Sequence, residues 1–322
     1  MQAKVFVTRK VPDAGLDLLQ KAGHSVTVSE KDGVLSQTEL QEALDKNEYD
    51  AILTTLSDHI SGEVLDSTPS VRIVANYAVG FDNIDTQAAK ARDVVVTNTP
   101  GVLTNAVAEH TMSLLFALAK RVPEADRFTR AGSFTGWGPM LLLGIELHGK
   151  TLGLVGLGRI GSRVAEIASC MGIRVLYFDI SRNEEIEKRF GVSYVSSIEE
   201  IFTQSDFVSL HVPLLDSTRH LVKKEHFVMM KPTSFLVNTA RGAIVDEQAL
   251  VQALKNRTIR GAALDVFEHE PELSSGLVDL ENVILTPHIG SATEKTRTAM
   301  SVLAAESIID FFKGKDPKNK VV

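Results

Sequence analysis

The sequence predicts an α/β protein of two doubly wound parallel-sheet domains, one inserted into the other. Three observations predict it. The first hundred residues alternate short apolar runs with helical stretches, the pattern of a parallel sheet with crossover helices. A second, longer alternation begins near residue 150, just ahead of a glycine turn. The chain then closes with one long helical stretch, about Thr293 to Phe312. The second set therefore lies in the interior of the chain, flanked by both ends.

In the first set, Val5–Val7, Ala51–Leu53, Ile73–Ala75 and Val94–Val96 read as strands, with helical stretches such as Ala14–Ala22 and Thr38–Leu44 between them. Short continuous apolar runs suit strands covered on both faces. The pattern breaks at Asn98-Thr-Pro-Gly101, because proline and glycine punctuate regular structure. A helix follows from about Asn105 to Arg121, and its centre, Met112 to Ala119, is apolar nearly all round. Such a helix is buried on several sides, between domains or subunits. Segment 132–149, with Gly132, Gly136, Gly138, Pro139 and Gly144 among its residues, reads as loop. Six strands come next: Leu152–Val155, Val175–Phe178, Phe207–Leu210, Phe235–Val237, Ala262–Leu264 and Val283–Leu285. Hinges near Pro100 and Pro287 give residues 1–99 with 288–322 as a discontinuous outer domain and 100–287 as the inserted one. A cleft between the two is where a small substrate would sit.

Composition excludes several classes of function. The 322 residues, 44% hydrophobic and 23% charged, fit a soluble protein with sizeable cores. A net charge of −7 with no basic tract leaves no nucleic-acid surface. No stretch approaches the roughly 20 apolar residues of a membrane span. The N-terminus runs straight into the strand around Lys4-Val-Phe-Val-Thr8, without the apolar core of a signal peptide, so a cytoplasmic location is expected. The single cysteine, Cys170, cannot form an internal disulfide and fits a reducing compartment. On the apolar side of its helix, it reads as a small buried residue and not as a nucleophile. No Cys/His cluster has metal-ligand spacing.

The glycine turn is Gly156-Leu-Gly158-Arg-Ile-Gly161. It follows an apolar strand and opens a helix with apolar Val164, Ile167, Ala168 and Met171; a second strand then ends in Asp179. Strand, turn, helix, strand and acid in this register form a dinucleotide site. The first glycine allows the tight turn, the second lets the backbone approach a pyrophosphate, and the third lets helix and strand pack closely. The pyrophosphate sits on the helix N-terminus, where free N–H groups favour negative charge. Asp179 is placed to accept from the ribose hydroxyls.

Three further residues sit beyond the carboxyl ends of strands, where open parallel sheets bind ligands. Arg241 follows Leu236-Val-Asn-Thr-Ala240, Glu270 follows Leu264-Asp-Val-Phe-Glu-His269, and His288 follows Ile284-Leu-Thr-Pro287. Their types suit hydride transfer to a keto acid. As hydride arrives the carbonyl oxygen gains negative charge and needs a proton, which a histidine can supply. Glu270 would stabilise the imidazolium, and Arg241, charged at any relevant pH, can hold a carboxylate and polarise the ketone. His110, His148, His211 and His269 are set aside as candidates for the acid.

These residues resemble the D-isomer-specific 2-hydroxyacid dehydrogenase family over essentially the whole chain. The matching stretches are Val155–Gly161, Asn238-Thr-Ala-Arg-Gly242, Leu264-Asp-Val-Phe-Glu268 and Thr286-Pro-His-Ile-Gly-Ser-Ala-Thr293. Within the family the chain is most similar to glyoxylate/hydroxypyruvate reductases, through Ala75–Asp85, Trp137-Gly-Pro-Met140 and His288 with its following residues. The resemblance implies a Rossmann cofactor domain inserted in a flavodoxin-like substrate domain. It implies Arg241, Glu270 and His288 as the catalytic trio, with His288 as proton donor. It implies that Leu56, Val79 and Gly80, with Arg241 and His288, meet the substrate. Cofactor contacts would come from Thr104, Gly156, Gly158, Arg159, Ile160, Gly161, Asp179, Ser181, Arg182, Thr239, Ala240, Asp265 and Gly290, Asp265 meeting the nicotinamide carboxamide. A homodimer with the long helix in its interface is implied as well.

Many glyoxylate reductases place a Ser/Thr-Arg pair directly after the second strand, for the 2′-phosphate of NADPH. Here Asp179 comes first and Ser181-Arg182 behind it. A carboxylate repels that phosphate, which favours NAD(H), while Arg182 keeps NADP(H) open. Around Tyr77-Ala-Val-Gly80 no cation is available for a substrate phosphate, and Leu56 is not the aromatic residue that a D-lactate enzyme would favour. The expected substrate is thus a short 2-keto acid, glyoxylate or hydroxypyruvate. A D-lactate-type or other 2-hydroxyacid dehydrogenase, and a non-catalytic NAD(H)-sensing scaffold, are the competing readings.

Overall fold

A computed structural model describes residues 2–322. The chain forms two compact units, one running through Leu103 and resuming at Ala292, the other spanning Thr104–Ser291. The divisions fall a few residues beyond Pro100 and Pro287, since Thr104 already opens a helix and the loop after Pro287 is tied to the second unit.

The first unit holds β1 (Lys4–Val7), α1 (Asp13–Lys21), β2 (Ser25–Val28), α2 (Gln37–Asp45), β3 (Ala51–Thr55), α3 (Gly62–Ser67), β4 (Ile73–Tyr77), α4 (Thr86–Ala91) and β5 (Val95–Thr97). The strands are parallel in the order β2-β1-β3-β4-β5, the flavodoxin-like order. β1, β3 and β4 are almost wholly buried, as strands covered by helices on both faces must be. Phe6, Ile52, Val64, Val74 and Val96 form one apolar cluster on a face of this sheet.

The second unit holds α5 (Thr104–Lys120), α6 (Val122–Arg130), β6 (Thr151–Val155), α7 (Arg159–Cys170), β7 (Arg174–Phe178), α8 (Glu184–Phe190), β8 (Ser193–Tyr194), α9 (Ile198–Gln204), β9 (Phe207–Leu210), α10 (Lys224–Met229), β10 (Phe235–Asn238), α11 (Glu247–Lys255), β11 (Gly261–Leu264) and β12 (Val283–Leu285). A 3₁₀ turn, Gly242–Ile244, leads out of the β10 loop. The sheet order is β12-β11-β10-β9-β6-β7-β8, all parallel. Sequence order reverses between β6 and β9, and that switch point is where a doubly wound sheet opens a crevice. One apolar cluster packs α5 and α7 on the sheet, with Leu115, Leu154, Val164 and Val237; another, with Phe202, Leu236 and Leu250, fills the other face. α5 buries nine of its residues, among them Met112, Leu114, Leu115 and Leu118, on more than one side, as its all-round apolarity predicts.

The last helix, α12 (Glu294–Phe312), returns to the first unit and packs on α1 and β4. Ser301 lies where a Cβ on Gly15 would sit, 2.2 Å from its Oγ, so α1 and α12 touch backbone to backbone. The Tyr77 hydroxyl donates to the Arg297 carbonyl at 2.8 Å, and burial pushes that phenol up from its ordinary pKa.

Three readings of the sequence are corrected. The second sheet has seven strands where six are expected, and the first has five where four are expected. β2 and β8 lie on sheet edges, and their half-exposed Ser-Val-Thr-Val and Ser-Tyr carry no apolar run. α6, over a stretch to which the sequence reading assigns no element, has no buried residue; its few apolar side chains, Val122, Ala125 and Phe128, recur at helical spacing among charged ones. Cys170 is exposed: it is the last residue of α7, past the turn in which Val164, Ala165 and Ala168 meet the sheet. No helix among the described residues is long and apolar enough to cross a membrane.

Candidate active site

The glycine turn joins β6 to α7 at the switch point of the second sheet. The Gly156 N–H donates to the Phe178 carbonyl at 2.8 Å and the His211 N–H to Val155 at 2.7 Å, so the turn is clasped by both neighbouring strands. Gly156 has φ +97°, and a Cβ there would lie 2.7 Å from the His211 carbonyl oxygen. A Cβ on Gly161 would lie 2.3 Å from the Gly156 carbonyl oxygen. Both positions therefore need glycine for the fold itself. Gly158 differs. Its φ is −67° and a Cβ there would meet nothing within 4 Å. It is also the N-cap of α7 and carries no capping side chain, so the first N–H groups of the helix are left for another partner. Open space over uncapped helical N–H groups fits the pyrophosphate of a dinucleotide. Arg159 and Ile160 are the first two residues of that helix. Beside the turn, burial holds the His211 imidazole down to about 4, so it adds no charge at neutral pH.

Asp179 stands at the end of β7. Its Oδ2 accepts from the Leu157 N–H at 2.6 Å and its Oδ1 from the Ser181 N–H at 3.4 Å. The carboxylate thus braces the glycine turn from the side. Arg182 closes the same loop and pairs with Glu187 of α8, Nε to Oε1 at 2.8 Å and Nη2 to Oε2 at 2.7 Å.

The catalytic candidates gather through strand register. Asn238 of β10 lies beside Leu264 of β11, which lies beside Leu285 of β12. Arg241, Asp265 and His288 follow these three strand ends within three residues each. Asp265 is 1% exposed and is the hub. Its Oδ1 accepts from Thr286 Oγ1 at 2.6 Å and the Ile289 N–H at 2.9 Å, its Oδ2 from the Gly290 N–H at 2.7 Å. His110 Nε2 of α5 is 3.2 Å from Oδ1. Burial works against this charge, but His110, Thr286 and Ile289 outweigh it and hold the carboxyl below the ordinary carboxylate range. The loop from Thr286 to Gly290 is therefore fastened at several points, and His288 within it has φ +54°, a strained value for a side-chain-bearing residue. Its own N–H donates to the Asp265 carbonyl at 2.9 Å.

His288 Nδ1 is 2.9 Å from Glu270 Oε2, and Glu270 Oε1 accepts from the Phe267 N–H at 2.9 Å. The dyad is held by backbone on one side and leaves Nε2 on the other. Arg241 is positioned by Asn238, a buried residue whose Nδ2 donates to the Arg241 carbonyl at 2.8 Å while its Oδ1 accepts from the Ala240 N–H at 3.0 Å. Gly242 presses the loop against Phe267, leaving no room for a Cβ. Thr239 Oγ1 lies 2.8 Å from Thr111 Oγ1 of α5.

In the first unit, Leu56 follows β3, and Val79 and Gly80 follow β4, its neighbour in the sheet. Asn76, fully buried, donates through Nδ2 to the Gly80 carbonyl at 2.8 Å. Asn98 Nδ2 donates to the Val79 carbonyl at 2.7 Å. Asn83 Nδ2 donates to the Thr55 and Asp58 carbonyls at 3.1 and 3.0 Å. Among the described residues, no backbone carbonyl meets the N–H of Val79 or Gly80.

Pattern reading misses the residues that do this positioning: His110, Asn238, Asn76, Asn83, Asn98 and Asp58. Asn238 carries a local signal, an amide at a strand end two residues before a turn. His110 and Asp265 are joined across the fold, and no local pattern marks that pair.

Comparison with known proteins bears on the same residues. Residues 112–290 match the model of the D-isomer specific 2-hydroxyacid dehydrogenase, NAD binding domain, family. A glyoxylate reductase of Aeropyrum pernix is 49% identical over 99% of this chain and 95% of its own length. That of Pyrococcus furiosus is 45% identical over 100% of this chain and 96% of its own. Among solved structures, an NADPH-dependent glyoxylate/hydroxypyruvate reductase from Sinorhizobium meliloti, in complex with NADP and malonate, superposes with a TM-score of 0.89 at 33% identity, covering 100% of this chain and 97% of that one.

Proposed function

The chain belongs to the D-isomer specific 2-hydroxyacid dehydrogenase family, and on that premise we propose that it reduces glyoxylate and hydroxypyruvate to the corresponding 2-hydroxy acids, with NADH as the preferred donor. It is an NAD(P)-dependent oxidoreductase of keto acids. The observation that carries the proposal is Gly158. The fold does not need a glycine there, so the residue is explained by a ligand that lies against the backbone. The acid at Asp179, braced on the same turn, accepts the ribose hydroxyls and disfavours a 2′-phosphate.

When bound, the dihydronicotinamide supplies hydride to the keto carbon. The remaining work falls to side chains. Arg241 holds the substrate carboxylate side of the molecule and draws charge toward the ketone oxygen. His288 gives that oxygen a proton from Nε2, and its Nδ1 stays on Glu270, which steadies the imidazolium before transfer and fixes the ring. In the reverse direction neutral His288 takes the proton back. The N–H groups of Val79 and Gly80 suit a carboxylate oxygen, with Leu56 as a bordering apolar group. Thr104, Thr239, Ala240, Asp265 and Gly290 are assigned to the cofactor, Asp265 chiefly through the loop it fastens. A homodimer is part of the same proposal.

The test follows loss of reduced-nicotinamide absorbance with glyoxylate, hydroxypyruvate and pyruvate, each with NADH and NADPH. Rapid turnover of the first two is expected, faster with NADH. His288→Gln should lose roughly 10²–10⁴-fold in kcat while still binding NADH; near-normal turnover would remove His288 as the donor. Gly158→Ala should leave the unfolding temperature unchanged and weaken NADH binding at least about tenfold.

A further inference from the structure

Arg182 is the cation that a 2′-phosphate would look for, three residues past Asp179 on the same loop. It is already engaged. Glu187 receives it in a two-point ion pair, at 2.8 and 2.7 Å, the fork geometry that arginine makes best. Glu187 is itself held. Its Oε1 also accepts from the Tyr177 hydroxyl at 2.7 Å, and that hydroxyl accepts from the Asn183 N–H at 2.8 Å. Tyr177 is fully buried in β7, so the acceptor is pinned to the sheet. The Glu187 side chain is 15% exposed and that of Arg182 57%: the arginine reaches inward to a fixed partner, with its guanidinium 6.0 Å from the Tyr194 ring centre.

We infer that Glu187, anchored by Tyr177, is a specificity-determining residue that keeps Arg182 away from the ribose end of the cofactor and so excludes the 2′-phosphorylated dinucleotide. Discrimination then has two parts. Asp179 repels the phosphate, and Glu187 withholds the group that would compensate. The inference rests on the reading of Asp179 as the ribose-binding acid. The network also gives Glu187 a carboxyl held down to about 2, by Arg182 first and Tyr177 second, so the carboxylate that receives Arg182 stays charged across the physiological range.

The experiment is a fluorescence titration of NADH and NADPH into the wild-type protein, Glu187→Ala, Glu187→Gln, Arg182→Ala and the Arg182→Ala/Glu187→Ala double variant. Wild type should favour NADH. Glu187→Ala should tighten NADPH binding roughly tenfold and leave NADH within about twofold, with Glu187→Gln between. The double variant should lose the gain, which ties the effect to the guanidinium. Tyr177→Phe should move the ratio in the same direction by a smaller factor, and it carries the test if the Glu187 variants fold poorly. An NADPH-to-NADH ratio that Glu187→Ala does not move overturns the inference and leaves the cofactor reading intact. The inference also falls if the double variant keeps the NADPH gain, since the guanidinium is then not its source. A wild type that binds neither dinucleotide overturns both.

Discussion

Each sheet ends in a loop supported from below by a buried aspartate, and the two aspartates are used differently. Asp58 and Asp265 are both 1% exposed. Asp58 Oδ2 accepts from Thr8 Oγ1 at 2.6 Å, Thr54 Oγ1 at 3.2 Å, and the Thr55 N–H and Oγ1 at 2.8 Å each. Its donors are neutral, and most lie within four residues. Asp265 takes its donors from α5 and from the loop after β12, one of them an imidazole. The first arrangement shapes the turn after β3, whose Thr55 and Asp58 carbonyls Asn83 ties to the neighbouring loop after β4; in that loop Asn98 and Asn76 take the Val79 and Gly80 carbonyls, so the groups left to a ligand there are backbone N–H. The second holds a histidine side chain in a strained backbone conformation. A loop that offers backbone can be built locally; a loop that must aim one side chain needs ties from distant segments.

The strongest way to break this comparison is Asp265→Ala. It leaves the Ile289 and Gly290 N–H groups, the Thr286 hydroxyl and His110 without their acceptor. A loss of about 3 kcal/mol of stability is expected, with kcat down roughly 10²-fold as His288 loses its placement. Thermal unfolding and steady-state kinetics check both; a stable, active variant would mean that the hub is not what holds His288. Asp265→Asn, closer in shape, adds a pH reading. The folded carboxyl titrates below its ordinary range, so its contribution is complete above the unfolded value of about 3.9 and is lost as pH falls through the folded value. The stability gap between wild type and Asp265→Asn should stay constant from neutral pH down to about 5 and narrow only below about 4.

Much of this site can be read from the sequence because its signals are local. The glycine turn, its strand and helix and Asp179 lie within one βαβ unit, and Arg241, Glu270 and His288 each follow an apolar strand at short range. What escapes is long-range or edge-bound. The His110–Asp265 contact joins residues with no shared pattern, so nothing near His110 in the chain marks its role. β2 and β8 have no apolar run because edge strands bury less. Cys170 follows the helical period of α7, yet the period does not say that the helix has already left the sheet. Gly158 stands between these cases. Its motif is legible, but that the fold itself tolerates a Cβ there is visible in three dimensions alone.

A smaller effect sharpens the comparison from the other side. Asn76→Ala frees the Gly80 carbonyl and loosens Asn83, and with it the turn whose N–H groups are assigned to the substrate. The keto acid KM should rise roughly tenfold with kcat within about twofold, the mark of lost binding common to ground and transition states. A fall in kcat with unchanged KM would place this turn in the chemical step and dissolve the division of labour between the two loops.

The finest contrast comes from one hydroxyl in each network. Thr8 Oγ1 donates to Asp58 and Thr286 Oγ1 to Asp265, both at 2.6 Å. Thr→Val keeps the branched shape and deletes the bond, and each carboxylate retains its other donors. Both Thr8→Val and Thr286→Val should therefore cost about 1 kcal/mol in unfolding free energy. Only Thr286→Val should reach the kinetics, with a few-fold drop in kcat, since Thr286 lies in the loop that carries His288 and its hydroxyl also stands 3.3 Å from His110. Equal stability losses with unequal kinetics would show that the two aspartates contribute alike to folding and differ in what they aim. Equal kinetics would mean that the remaining ties to Asp265 hold the histidine without Thr286, and the hub would then act through the Ile289 and Gly290 backbone alone.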